Sequence, residues 1–450
     1  MSSFVPIVCN QAITVLLGVL GVKLFSAFVP KATYGHYALF LTLTQVGVMV
    51  THSGIVNHAM RYWQRERSQA AAYTRFLWKA SWRGLADLAP LLILIALAVA
   101  LNEREFAWLW IVPWLVLGNI AMAITATATG ALNADRKLWG VFVVSVVSNA
   151  ARILIPIGLA LSAGMTFFML GTGFALHGVL VLGGLAVMFR WALAGQASSL
   201  RVDRASSPRP ASGRMPPEPA GRKPAPHSQT GSQGRWEQEL REYGRPFVWL
   251  GIGAWFLQCA DRWVVKIFFG EEEAGLFAFA SNIGAIVPTF VVGGVMQKIF
   301  PQVFRQADHA QTRREWEQIA GRCDQATGLF LLLTILGLVM LQALGPYLLG
   351  WLIAEQYAPA LDVLLPAGFA MVTSQINQFY YLLLQGQHNS AGMVKVMLVV
   401  SGLKTLGSVA SAAISWPAFL LWLMISTVLG GWIGRTMIRS MALRAGAEHG

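Results

Sequence analysis

Cysteine is nearly absent, three residues in 450. Cys9, Cys259 and Cys323 form no C-x-x-C pair and have no histidine at metal-binding spacing. Neither a disulfide framework nor a metal site is expected, and the three read as small apolar residues. Charge is scarce too, 12% of the chain, with 34 basic residues against 21 acidic ones. The short motifs of soluble catalysis are missing: no G-x-x-x-x-G-K-S/T, no H-E-x-x-H, no G-x-S-x-G and no dinucleotide fingerprint. No large polar domain is present to hold a catalytic site. The longest connection expected on the outer side, 346–360, is itself apolar (PYLLGWLIAEQY). The chain reads as something other than an enzyme, with no cofactor.

What fills the space is apolar. Hydrophobic residues make up 55% of the chain. Runs of about 20 residues, enough to cross a bilayer, recur near 5–29, 37–60, 85–101, 108–131, 139–162, 167–189, 246–269, 275–300, 325–345, 361–384, 391–412 and 415–437. This is an all-α polytopic membrane protein of about twelve transmembrane helices. The first run is too long for a signal-peptide core, and no A-x-A site follows it. A net charge of +13 suggests nucleic acid in a soluble chain. Here lysine and arginine crowd into alternate connections, whereas the others hold only Lys31 and Arg104. That asymmetry is the positive-inside pattern; it puts both termini in the cytoplasm and removes nucleic acid as a partner. The connection 61–84 interleaves basic residues with Tyr62, Trp63, Tyr73, Phe76, Trp78 and Trp82. That mixture suits a segment lying at anionic headgroups, so membrane lipids are expected partners.

The chain is organised about the stretch 258–280, QCADRWVVKIFFGEEEAGLFAFA. It carries Asp261, Arg262 and Lys266 inside an apolar run, breaks at an acidic turn and restarts at Gly275. Shifted by 240 positions, Gly275-Leu-Phe-Ala-Phe falls on Gly35-His-Tyr-Ala-Leu, and Arg305 on Arg65. The two halves read as pseudo-repeated six-helix bundles, 1–189 and 246–450, around a central cavity. Between them, 190–245 is rich in Pro, Ser, Gly and Arg and reads as a disordered cytoplasmic linker, with an amphipathic approach from Trp236.

Ionisable groups at membrane depth cost about 2.5–3.5 kcal/mol or more and mark function or pairing. In the fifth run Ser145, Ser148, Asn149, Arg152 and Pro156 share one helical stripe. In the seventh, Arg262 and Lys266 share a face, while Asp261 points elsewhere as a structural partner or an ion or proton site. The tenth is polar for its depth, with Gln375, Asn377 and Gln378 suited either to sugar hydroxyls or to interhelical bonding. Lys404 in the eleventh is deep, and an offset of 252 places it on Arg152, whereas Lys395 and Lys23 sit near helix ends where they snorkel. His52 reads as a packed residue or a proton relay. The candidate cavity lining is therefore Arg152, Arg262, Lys266, Lys404, Asn149, Gln375, Asn377 and Gln378.

Lys31-Ala-Thr-Tyr-Gly-His-Tyr-Ala after the first run, Asp261-Arg262-Trp with Gly270, and Gly275-Leu-Phe-Ala carry a resemblance, as does the six-plus-six layout. The chain resembles the polysaccharide (O-antigen type) flippases of the multidrug/oligosaccharidyl-lipid/polysaccharide (MOP) exporter superfamily. The Pro-rich linker departs from that family's compact connection. The resemblance implies translocation of an undecaprenyl-pyrophosphate-linked saccharide across the bacterial inner membrane by alternating access. It also implies other polysaccharide assembly proteins as partners, and coupling to Na⁺, H⁺ or the membrane potential. The in-span cations agree with an anionic cargo. Two rivals stay open: a cation-coupled multidrug exporter, which wants cavity carboxylates, and a membrane glycan polymerase or ligase, which wants a long outer loop.

Overall fold

The computed structural model describes residues 4–448 apart from 64, 67–68, 104–108, 110, 135–137, 185–228, 308, 311 and 388. Among the described residues it contains helices and turns only. In chain order these are α1 (Phe4–Phe28), α2 (Lys31–Gly47), a π-turn (Val48–His52), α3 (Ser53–Tyr62), α4 (Ala70–Glu103), α5 (Ile111–Ala134), α6 (Leu138–Ala163) and α7 (Phe167–Gly184). The second series is α8 (Gln229–Phe269), α9 (Glu271–Gly284), α10 (Ile286–Ala307), α11 (Arg313–Leu349), a 3₁₀ turn (Glu355–Leu361), α12 (Leu364–Gly386), α13 (Ser390–Ala412) and α14 (Trp416–Glu448). Eight helices are long and apolar enough to span a membrane, or ten if each bent pair counts as one. α4 and α8 complete the set expected from sequence. α8 falls short because its apolar half carries Asp261, Arg262 and Lys266.

The helices pair in the same pattern twice. α1 packs on α6 as α8 packs on α13, α3 on α5 as α10 on α12, and α4 on α5 as α11 on α12. The two series meet through α2 against α9 and α8, α3 against α8, and α1 against α9 and α10. At one end this seam is a contact between repeat-equivalent glycines. A Cβ on Gly35 would lie 2.5 Å from the Glu271 carbonyl and 3.1 Å from the Gly275 nitrogen; one on Gly275 would strike the Lys31 carbonyl. Only glycine lets the two backbones approach this closely. Charge seals the rim: Lys31 pairs with Glu272 at 3.3 Å, and Glu271 faces His36 Nε2 at 2.7 Å and Lys266 at 3.6 Å. The 3₁₀ turn covers this end, its Tyr357 hydroxyl donating to the Val29 carbonyl at 2.9 Å. Lys23 donates to the Trp351 carbonyl here.

α8 breaks into α9 at Gly270, whose φ of 97° is a left-handed value that side chains resist. Glu271, Glu272 and Glu273 then occupy the first turn of α9, where the helix dipole favours negative charge.

At the opposite end the structure corrects the linker. The span 190–228 lies outside the described residues, but 229–245 is helical, the start of α8. With 41 residues α8 is about 60 Å long, twice the hydrocarbon thickness of a bilayer. The extension holds because Trp236 gives it an apolar anchor. This side chain is 0% exposed and packs on Tyr73 and Phe76 of α4 in a cluster with Ile55, Ala59 and Trp63. Burial there pushes the Tyr73 phenol up. Buried Glu66 accepts from Arg65 and Arg235, each at 2.7 Å, and Arg65 also reaches Glu239 at 2.5 Å. The amphipathic approach expected from Trp236 is this docked helix, which begins seven residues earlier, at Gln229.

Candidate functional site

α8 lies along the first series through polar contacts at successive turns. Trp255 Nε1 donates to the Thr42 carbonyl and Trp263 Nε1 to the Thr42 hydroxyl, both at 2.8 Å, and the Cys259 thiol meets Gln45 at 3.0 Å. One turn further, Arg262 donates to Asn282 Oδ1 of α9 at 3.0 Å, and Asn282 Nδ2 donates to the Tyr34 hydroxyl of α2 at 2.7 Å. Arg262 sits eight residues before the Gly270 break, about 12 Å inside the turn end. Its Nε is buried and makes no hydrogen bond among the described residues.

Arg152, midway along α6, approaches from the other series. Its side chain is exposed and makes no ion pair among the described residues. Its charge nevertheless acts on buried groups inside the bundle, namely Tyr34, Tyr37 and His177. Tyr34 therefore lies within electrostatic reach of Arg152 and Arg262 alike. Asn149 is half-buried on α6, three residues before Arg152 and on the same face. Arg262, Asn282 and Tyr34 are joined by hydrogen bonds, and Arg152 stands on α6 as a guanidinium from the other half that makes no ion pair among the described residues.

Several candidates fall elsewhere. Lys404 is not a cavity residue. Its side chain is 1% exposed, pairs with Asp261 at 2.6 Å and donates to the Leu257 and Ala370 carbonyls at 2.6 and 3.2 Å. Asp261, 2% exposed, also accepts from Ser408 at 2.9 Å. Of the two roles open to Asp261, a structural pair or an ion or proton site, the structure shows the pair. The helix turns Asp261 and Arg262 about 100° apart, and Asp261 faces α13. The offset that pairs Lys404 with Arg152 holds at the level of helices and fails at the level of chemistry.

Asn377 is also removed from the cavity set. It is 0% exposed, donates to the Thr373 carbonyl at 3.2 Å and sits against Gly434, where a Cβ would strike its amide. Gln375 and Gln378 stay half-buried on α12. Lys266 turns to Glu271 at the rim. His52 closes the π-turn, buried against the backbone of Gly47 and Ser81. Among the described residues no cluster of His, Cys, Asp and Glu could hold a metal. Sequence reasoning missed Tyr34 and Asn282, although Tyr34 lay within the quoted KATYGHYA segment and Asn282 was an amide in an apolar run.

No protein-family model matches the chain, and no curated protein does. Solved structures do. The inward-facing conformation of a multidrug resistance MATE family transporter of the MOP superfamily aligns over 98% of this chain and 99% of its own, with TM-score 0.63 and 11% identity. The outward-facing conformation of a MATE family transporter aligns over 98% and 95%, with TM-score 0.58 and 13% identity. A MOP superfamily transporter from Pyrococcus furiosus, for which reverse polarity of the binding pocket suggests a different function, aligns over 98% and 95%, with TM-score 0.56 and 12% identity. At such identities the likeness is one of architecture. The chain has the all-helical, roughly twelve-span fold of the MATE transporters.

Proposed function

We propose that this chain is a membrane transporter whose central site takes an anionic cargo, the pyrophosphate of an undecaprenyl-linked saccharide. One observation carries the reading. Arg152 and Arg262 come from opposite halves and make no ion pair among the described residues, while the carboxylate best placed to balance them, Asp261, is consumed by Lys404. A guanidinium at depth without a counter-ion is tolerable only where water or an anion shares its space. Paired guanidiniums suit phosphate oxygens, which they bind two-pronged.

A second reading has its own support. The structural neighbours are named as multidrug transporters, which weighs toward cation-coupled drug export at least as strongly as the residue resemblance weighs toward saccharide flipping. Cationic drugs want an available carboxylate, and engagement of Asp261 counts against that chemistry here.

Binding to the purified protein separates the two. Lipid-linked pyrophosphoryl saccharide is expected to bind the wild type and to be lost from Arg152→Ala and Arg262→Ala, with Lys at either position restoring only part. A cationic dye such as ethidium is expected to bind weakly and indifferently to these changes. Tight dye binding that survives in both variants, with no saccharide binding, overturns the anionic reading in favour of drug export.

A further inference from the structure

At the end opposite the Gly35–Gly275 seam, α3 and α4 form one wall of a cleft of about 830 Å³, and the α8 extension forms the other. Arg83 pairs with Glu237 across it at 3.0 Å. Lys79, Arg241 and Arg245 also line it; they are exposed and make no ion pair among the described residues, leaving a positive surplus over Asp87. Deeper in, the lining turns apolar through Leu88, Val50 and Val248. The change occurs where the connection 61–84 meets the apolar run of α4, and where Arg245 gives way to that of α8. Trp78 and Trp82 are exposed on α4 at the same turns, at the depth where indole rings settle in a membrane interface. Arg262 lies seventeen residues further along α8, about 25 Å away, so this cleft is separate from the central site.

We infer that the cleft is a binding site for an anionic phospholipid. Its phosphate is held by Lys79, Arg241 and Arg245, and the start of an acyl chain lies against Leu88 and Val248. The polarity gradient selects an amphiphile over a free anion, and the charge surplus selects an anionic headgroup over a zwitterionic one. Because the walls come from helices of opposite halves, a bound lipid fastens the α8 extension to α4.

Native mass spectrometry of the purified full chain tests this, with phosphatidylglycerol or phosphatidylcholine added in detergent. The wild type is compared with a triple variant, K79Q/R241Q/R245Q, and with R305Q/R313Q/R314Q, which removes three arginines elsewhere. All six side chains are exposed, so both variants are expected to fold. One retained phosphatidylglycerol is expected on the wild type and the control, with affinity roughly tenfold or more lower in the cleft variant. Equal retention by the cleft variant overturns the site. Equal retention of phosphatidylcholine by the wild type, or full displacement of the lipid by inorganic phosphate, overturns its lipid chemistry.

Discussion

The Asp261–Lys404 pair takes the deep carboxylate of α8 away from Arg262. Two groups almost fully withdrawn from solvent, with Ser408 and two carbonyls completing their hydrogen bonds, are stable together and costly apart. Removing one member of such a pair costs about 3–5 kcal/mol, because the survivor stays charged and unaccompanied. Asp261→Asn and Lys404→Met are each expected to lower the melting temperature of the detergent-purified protein, and the double variant is expected to recover most of the loss. If the singles melt with the wild type, the pair contributes nothing to folding. A pair role for Asp261 was legible in the sequence, but its partner on α13 was not. Which neighbour a helical residue faces depends on rotation about the axis, and the apolar surroundings of α8 and α13 leave that rotation unmarked. Arg152 was legible because a polar stripe at helical spacing needs no partner to be seen.

Among the elements, α8 shows both how far composition can be read and where it fails. The apolar run 246–269 announces a span. Its first residues, Thr230 to Gly234, favour turns, but the approach from Trp236 is rich in Glu, Gln and Arg, and a buried tryptophan and a set of salt bridges dock it as helix. Tertiary anchoring and local propensity agree there from Arg235 onward. The α2–α9 contact is the opposite case, since the glycines that allow it stood at matching positions of a repeat. Gly35→Ala forces the Glu271 carbonyl away and is expected to destabilise the protein by about 1–3 kcal/mol. Gly158→Ala on α6, where nothing lies within 4 Å, serves as the control. Thermal unfolding of both variants checks the contact, and equal melting temperatures would show that the seam can relax at no cost.

For the whole molecule, the two ends of the seam are held by different bonds. Lys31 and Glu272 close one, and Arg83 and Glu237 the other. The proposed transport function, exposing the centre to each side in turn, requires these ends to open alternately. Cysteine pairs at 31/272 and at 83/237 are each expected to cross-link under mild oxidation, stop transport in vesicles, and release it on reduction. Undiminished transport with either pair fully cross-linked would show that the ends do not open. Sidedness is a separate matter: the Lys/Arg asymmetry predicts Ser206 in the cytoplasm and Glu272 outside. A membrane-impermeant thiol reagent on intact cells is expected to label a cysteine at 272 and spare one at 206.

The glycine contact also bears on ancestry. Position 31 corresponds to 271 and position 35 to 275, so this surface touches its own repeat copy. Such a contact is self-complementary: two identical six-span chains in the same orientation can make it with each other and need no second surface. In that pairing position 31 meets position 35 of its neighbour, a glycine in both copies here, so the backbone contact itself is symmetric. Joining the copies in one polypeptide frees each to change alone. Here position 31 is lysine in one copy and glutamate in the other, and position 32 is alanine in one and glutamate in the other, so the Lys31–Glu272 pair forms in one sense only.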